Sequence, residues 1–233
     1  MRPQSAVFIH GTGAAGPRAW PKQRNDSRFA ECVFLSRPGF SEGELPHITD
    51  WSAETDAVIA AVGGGAHVVG FSFGGLPAML AAQRSPTTVH SLCLIEPPAF
   101  SIARGDPSVE AHIASVAAVM ALRDELDAAE YFVAFMSALG IGAVERPSSQ
   151  AELLGAERLR LTAAPWEAPV STEFIDDVPT LVLTGGWNAE YDAVARVLAR
   201  AGARHHVLEW AGHRVQDHPD FSDVVVEFWA RSV

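Results

Sequence analysis

Cysteine is nearly absent from this chain of 233 residues: Cys32 and Cys93 are the only two. Each lies in an apolar run, so a disulfide framework is excluded and buried, reduced thiols are expected, as in a reducing cytoplasm. Positive charge is short as well. The 17 Lys and Arg are outnumbered by 28 Asp and Glu, a formal net charge of −11. That leaves no broad cationic surface for phosphates and argues against nucleic acid or anionic membranes as partners. The opening residues, Met1 to Gln4 and then Ala6-Val7-Phe8-Ile9, lack the long apolar core of a secretory signal, so no export is expected and the chain reads as cytoplasmic. One stretch lacks charge altogether, since no Asp, Glu, Lys or Arg occurs between Asp56 and Arg84. Its Gly63-Gly64-Gly65 break and its Gly70, Gly74 and Gly75 cut it into pieces too short for a membrane span. It reads as helix, turn, strand, turn, helix.

What remains is ordinary globular material, 48% hydrophobic and 19% charged, long enough for one large single-core domain. Short β-rich runs alternate with Ala-rich helical patterns, as expected of a mostly parallel sheet covered by helices on both faces. The runs are Ala6–His10, Glu31–Leu35, Ala66–Phe71, Val89–Ile95, Thr180–Thr184 and His205–Glu209, most of them near-continuously apolar, as in doubly covered strands. Helices are expected at about Ser52–Val62, Gly74–Arg84, Tyr191–Ala201 and Asp217–Trp229. Between the fourth and fifth runs no strand appears. Apolar residues there recur at helical spacing: Ile113, Val116, Ala117 and Met120, then Tyr131, Phe132, Phe135, Met136 and Leu139. Pro97-Pro98 opens this stretch and Pro165 with Pro169 closes it. The expected organisation is a core over residues 1–99 and 171–233, interrupted by a helical lid over 100–170.

The sharpest motif is Gly70-Phe71-Ser72-Phe73-Gly74. It follows an apolar strand and precedes Leu76-Pro77-Ala78-Met79-Leu80, so Ser72 sits on a tight strand-to-helix turn that its flanking glycines permit. Pro77 fits the first helical turn, where its missing N–H costs little. The helix N-terminus then faces Ser72 with free N–H groups and a favourable dipole for developing negative charge. After the first strand, His10-Gly11-Thr12-Gly13 supplies a flexible loop. The backbone N–H groups of Thr12 and Phe73 are the expected oxyanion donors; His10 is read as a packed, hydrogen-bonded residue and not as a proton carrier. A serine nucleophile needs a base, and among 9 histidines His213 in Gly212-His213-Arg214 is the best placed, on a loop after the last strand. His218 reads as a cap or surface residue. His205 and His206 face opposite sides of a strand, so no metal cluster is expected.

With these residues in order, the chain resembles the α/β-hydrolase superfamily along essentially its whole length. The marks are the His10-Gly11 loop, Ser36-Arg37-Pro38-Gly39-Phe40-Ser41, the elbow at Ser72, Leu94-Ile95-Glu96-Pro97-Pro98, the helical insertion and Gly212-His213. The resemblance implies an α/β-hydrolase fold whose usual first antiparallel hairpin is missing. It also implies a serine nucleophile with no metal or organic cofactor. Many members carry an acid in Gly-x-x-Asp after the penultimate strand; here that position is Asn188, which cannot stabilise an imidazolium. Some relatives, haloalkane dehalogenases and certain lactonases among them, place the acid at the end of the preceding core strand, and Glu96 stands there. Glu190 and Asp192 are the rival acids. The aromatic and Met side chains of the insertion read either as ordinary packing or as a pocket wall; Phe40, Phe71, Phe100, Phe132, Trp166 and Trp187 are the residues assigned to that wall.

The expected activity is hydrolysis of small to medium apolar esters or lactones, with Ser72, His213 and Glu96 as the catalytic residues. The superfamily uses one apparatus for several acyl chemistries, so thioester, C–C bond and perhydrolase reactions stay open. So does a ligand-binding descendant with little turnover.

Overall fold

The computed structural model describes residues 5–232; the leader-free reading of Met1 to Gln4 lies outside them. Six strands, β1 (Ala6–Ile9), β2 (Val33–Leu35), β3 (Ala66–Phe71), β4 (Val89–Ile95), β5 (Thr180–Thr184) and β6 (Arg204–Val207), form one sheet in the order β2-β1-β3-β4-β5-β6. Every neighbouring pair is parallel. The four inner strands are apolar and buried because helices cover both faces. The edge strands are exposed: all four residues of β6 face solvent, and β2 is at most half-buried.

Seven longer helices surround the sheet: α1 (Trp51–Val62), α2 (Gly75–Arg84), α3 (Pro107–Met120), α4 (Ala128–Ala138), α5 (Gln150–Arg160), α6 (Ala189–Arg200) and α7 (Phe221–Ala230). The charge-free stretch resolves into α1, β3 and α2, and no described helix is long and apolar enough to cross a membrane. Helices α3 to α5 all lie between β4 and β5. One core packs Val58, Leu76, Leu94 and Leu198 on one face of the sheet. The other packs Phe8, Trp20, Phe29, Phe221 and Trp229, with Phe8 edge-on to Trp20 at 5.0 Å and to Phe29 at 5.4 Å.

The structure moves some boundaries. The second strand begins only at Val33, because the Cys32 N–H closes a turn on the Phe29 carbonyl. The last helix begins at Phe221 and not at Asp217: residues 215–217 form a separate 3-10 turn, and Pro219 follows before the helix. Cys93 is fully buried, but Cys32 is only half-buried, which corrects the reading of two buried thiols. Burial raises both, Cys32 to about 11.

Two buried histidines make stability depend on pH. His10 is lowered to about 3, mainly by burial and then by the Arg37 charge. His67 is lowered to about 4 by burial and then by His90; its Nδ1 meets Ser91 Oγ at 2.8 Å. Between these values and the ordinary 6.5 the unfolded chain binds more protons than the folded one, so stability falls as pH drops through that window. Urea unfolding followed by tryptophan fluorescence should show a midpoint that declines from pH 6.5 towards 4. His67→Gln should make that decline shallower; an unchanged slope would remove His67 from the account.

Candidate active site

Parallel strands deliver all their C-terminal ends to one edge of the sheet, and that edge carries the loops. At the end of β3 the chain turns through Ser72–Gly74 directly into α2. A Cβ on Gly70 would stand 2.7 Å from the Gly75 Cα, and one on Gly74 would stand 2.4 Å from the His10 carbonyl oxygen. Glycine is therefore required on both sides of Ser72, whose φ is +51°. Among the described residues, the other non-glycine residues at positive φ are Glu96 (+47°) and Trp210 (+68°). Left-handed backbone is costly for residues with a Cβ, and it recurs where side chains must be aimed.

The side chains of Ser72 and Glu96 meet at His213. Its Nε2 lies 3.0 Å from Ser72 Oγ, and its Nδ1 lies 3.7 Å from Glu96 Oε2. The second separation is beyond hydrogen-bond range, and Nδ1 is buried with no hydrogen-bond partner among the described residues. Glu96 is itself buried and anchored from β5: Gly185 N–H donates to Oε1 at 2.7 Å, and Trp187 Nε1–H donates to Oε2 at 3.3 Å. Gly185 has no room for a side chain, since a Cβ would lie 2.1 Å from the Gly212 carbonyl oxygen. The loops carrying the carboxylate's partner and the histidine are thus in direct backbone contact. The His213 ring sits among Phe71, Tyr191 and Trp187, with centroids 5.1, 5.3 and 6.0 Å away.

The rival acids are engaged elsewhere. Asn188 caps α6 by accepting the Glu190 N–H at 3.1 Å, Glu190 pairs with His112, and Asp192 lies in the first helical turn, where its charge reaches His205. His218 lies ahead of the last helix, where its Nδ1 accepts the Asp220 N–H at 3.2 Å.

A buried ion pair absent from the sequence reading holds the loop after β1. Arg37 binds Glu54 through Nη2 at 2.6 Å and Nε at 2.9 Å, and its Nη1 donates to the Gly11 carbonyl at 3.1 Å. Its guanidinium lies over the rings of Phe73 and Phe40, 4.5 and 4.9 Å from their centroids. The Arg37 N–H donates to His10 Nε2, so neutral His10 carries its proton on Nδ1 and gives it to the Gly11 carbonyl at 2.7 Å. His10 is a packed residue, as its sequence context suggested. Glu54 was detectable in principle: it shares the buried helical stripe of Val58 and Val62, and a carboxylate there needs a buried partner.

A cavity of about 280 Å³ opens beside Ser72. Phe71 and Phe100 line it, together with Tyr131 and Phe135 of α4 and His112, Val116 and Met120 of α3. Four residues assigned to the wall lie elsewhere. Phe132 borders a neighbouring cavity of about 290 Å³, and Phe40 packs edge-on to His10. Trp166 packs on the core, and Trp187 holds the Glu96 carboxylate. Local sequence cannot separate these cases, because the wall is set by how the three inserted helices cross the sheet edge.

A nucleophile elbow on a parallel sheet, faced by a histidine and a buried carboxylate, defines a hydrolase class, and comparison with known proteins agrees. A model of the alpha/beta hydrolase family matches residues 6–223, and the chain belongs to that family. A pimeloyl-[acyl-carrier protein] methyl ester esterase of Methylococcus capsulatus is 36% identical over 172 residues, covering 70% of this chain and 62% of that protein. The match thus spans less than two thirds of the relative. Among solved structures, NosK from Streptomyces actuosus covers 99% of both chains at 22% identity and a TM-score of 0.66. MenH from S. aureus covers 100% of this chain and 95% of its own at 18% identity and a TM-score of 0.69. At these identities the structural likeness bears on the fold.

Removing one member of the buried ion pair leaves the other charge without a partner, which costs about 3–5 kcal/mol. Glu54→Ala should lose stability of that order in chemical denaturation. A loss under about 1 kcal/mol would show that Arg37 finds another partner or water.

Proposed function

We propose that this hydrolase is a serine esterase acting on carboxylic esters or lactones of small to medium apolar compounds. The supporting observation is the chain of contacts from Ser72 Oγ through the His213 ring to Glu96, with Ser72 and Glu96 both on left-handed backbone. A serine hydroxyl is a weak nucleophile until a base takes its proton. In this reading His213 Nε2 accepts the proton as Ser72 Oγ attacks the substrate carbonyl. The resulting imidazolium carries a proton on Nδ1 facing Glu96, and a charged pair favours closing the 3.7 Å gap. Such contacts are often long in an unliganded site and shorten in the reacting complex.

The N–H groups of Thr12 and Phe73 would hold the oxyanion. Thr12 lies on the cavity wall beside the elbow, and Phe73 stands in the first turn after β3, where backbone donors have no carbonyl one turn back. Protonated His213 then gives its proton to the leaving alkoxide. Water, deprotonated by the same histidine, releases the acyl group from Ser72. Phe100, Val116, Met120 and Phe135 make most of the wall apolar, which favours an uncharged chain or ring on the substrate. The ester chemistry of the Methylococcus capsulatus relative supports the reaction class and leaves the substrate of this chain open.

A fluorophosphonate probe followed by peptide mass spectrometry should give one adduct, on Ser72, and none in Ser72→Ala. A folded parent protein that stays unlabelled would contradict the reading. For p-nitrophenyl esters, Glu96→Gln should lower kcat by about 10²-fold or more, whereas Asp192→Asn should change it less than about threefold. The reverse order would transfer the acid's role to the loop after β5.

A further inference from the structure

We propose that the cavity walled by α4 and α5 is a second chamber of the Ser72 site, and that the preferred substrate is an open-chain ester with an extended apolar arm on each side of its carboxyl group, one arm to each chamber. The inference rests on the reading of Ser72 as nucleophile and of Thr12 as an oxyanion donor. The second chamber holds about 290 Å³, against about 280 Å³ beside Ser72. Thr12, Gly13, Met136 and Leu159 belong to the walls of both, so the two adjoin at the glycine loop after β1. A carbonyl oxygen held by the Thr12 N–H places the reacting carbon beside that junction. The acyl and alcohol arms of an ester leave a trigonal carbon in different directions, and there is space on either side of the loop to take them. Ser72 and His213 line the first chamber alone, which leaves the second with no reacting group and only a surface for binding.

The wall selects the kind of arm. Phe132 and Met136 of α4 and Ala156 and Leu159 of α5 are apolar. The charged residues that also line the chamber are met by the protein or by water: Arg146 Nη2 donates to Asp127 at 2.8 Å, Glu152 Oε2 accepts the Ser148 and Ser149 N–H groups at 3.0 and 2.9 Å, and Glu145 is exposed. An uncharged chain fits such a wall. Gly155 adds a second observation. It lies inside α5 on the chamber wall, it is not at positive φ, and a Cβ there would meet no atom within 4 Å. Neither backbone nor crowding requires glycine at 155, and glycine weakens a helix relative to residues with a side chain. What the missing side chain leaves is room. Loose packing between two inserted helices would leave the same room, but it would not make turnover depend on the shape of the ester.

The test uses the whole protein and three esters, hexyl acetate, methyl hexanoate and hexyl hexanoate, with acid release followed at constant pH. The parent is expected to favour hexyl hexanoate in kcat/KM by about tenfold or more over each ester with a single long arm. Gly155→Leu places a side chain on the chamber wall and favours the helix, and Met136→Trp narrows the junction; each should lose the advantage of the second long arm. Loss of that advantage in either folded variant supports the inference. A parent without the advantage, an advantage retained in every folded variant, or no turnover of the three esters by a parent that gives the fluorophosphonate adduct on Ser72 would overturn this inference and leave the serine mechanism standing. No turnover together with no adduct on Ser72 would overturn both.

Discussion

The edge of the cavity depends on a charge that has been taken out of water. Arg37 and Glu54 are almost completely buried, and burying two ions is costly unless their hydrogen-bonding capacity is filled. Here the guanidinium spends two nitrogens on the carboxylate and a third on the Gly11 carbonyl, and offers its faces to Phe40 and Phe73. A single residue after β2 therefore fixes α1, the glycine loop after β1 and the aromatic residue that follows Ser72. The pair shares this task with the His10 ring, which also binds the Gly11 carbonyl.

A second set of restraints acts through close backbone approach. Gly70 and Gly74 bring the elbow against β1 and the start of α2, and Gly185 brings the loop after β5 against the one that carries His213. The strand order sets β1, β3, β4 and β5 side by side, so the loop after β1, Ser72, Glu96 and Gly185 emerge from adjacent strand ends. Only His213 comes from further away, beyond the exposed edge strand β6. Its ring is far more exposed than the Glu96 carboxylate and is held by Phe71, Tyr191 and Trp187 and by the contact with Ser72.

Much of this was legible in the sequence because it is local. Near-continuous apolar runs marked most of the six strands, and the glycines around Ser72 marked a turn that no bulkier sequence could make. Helices α3 and α4 followed from spacing, whereas α5 has little apolar face; its signature was the capping box Ser149 and Glu152, which hold each other's backbone N–H groups. The cavity wall was the least legible part, since Phe135 and Phe132 are neighbours on one helix yet border different cavities. Glu96 could be placed only by likeness to other hydrolases; its partners, Gly185 and Trp187, lie about ninety residues further along the chain. Trp187 shows the limit clearly. Its position near a strand end suggested a pocket wall, but its indole N–H donates to Glu96 while its ring packs on His213 and Tyr191.

Pro97 and Pro98 separate Glu96 from the first residue of the helical insertion by only a few bonds. Each ring locks its own φ, and each proline also narrows the choices of the residue before it. Pro97 in addition lies against Gly75 at the head of α2. The join is therefore stiff, and it fixes the direction in which the chain leaves Glu96 for the insertion. The Glu96 carboxylate and the inserted helices are thus covalent neighbours joined by backbone with little torsional freedom.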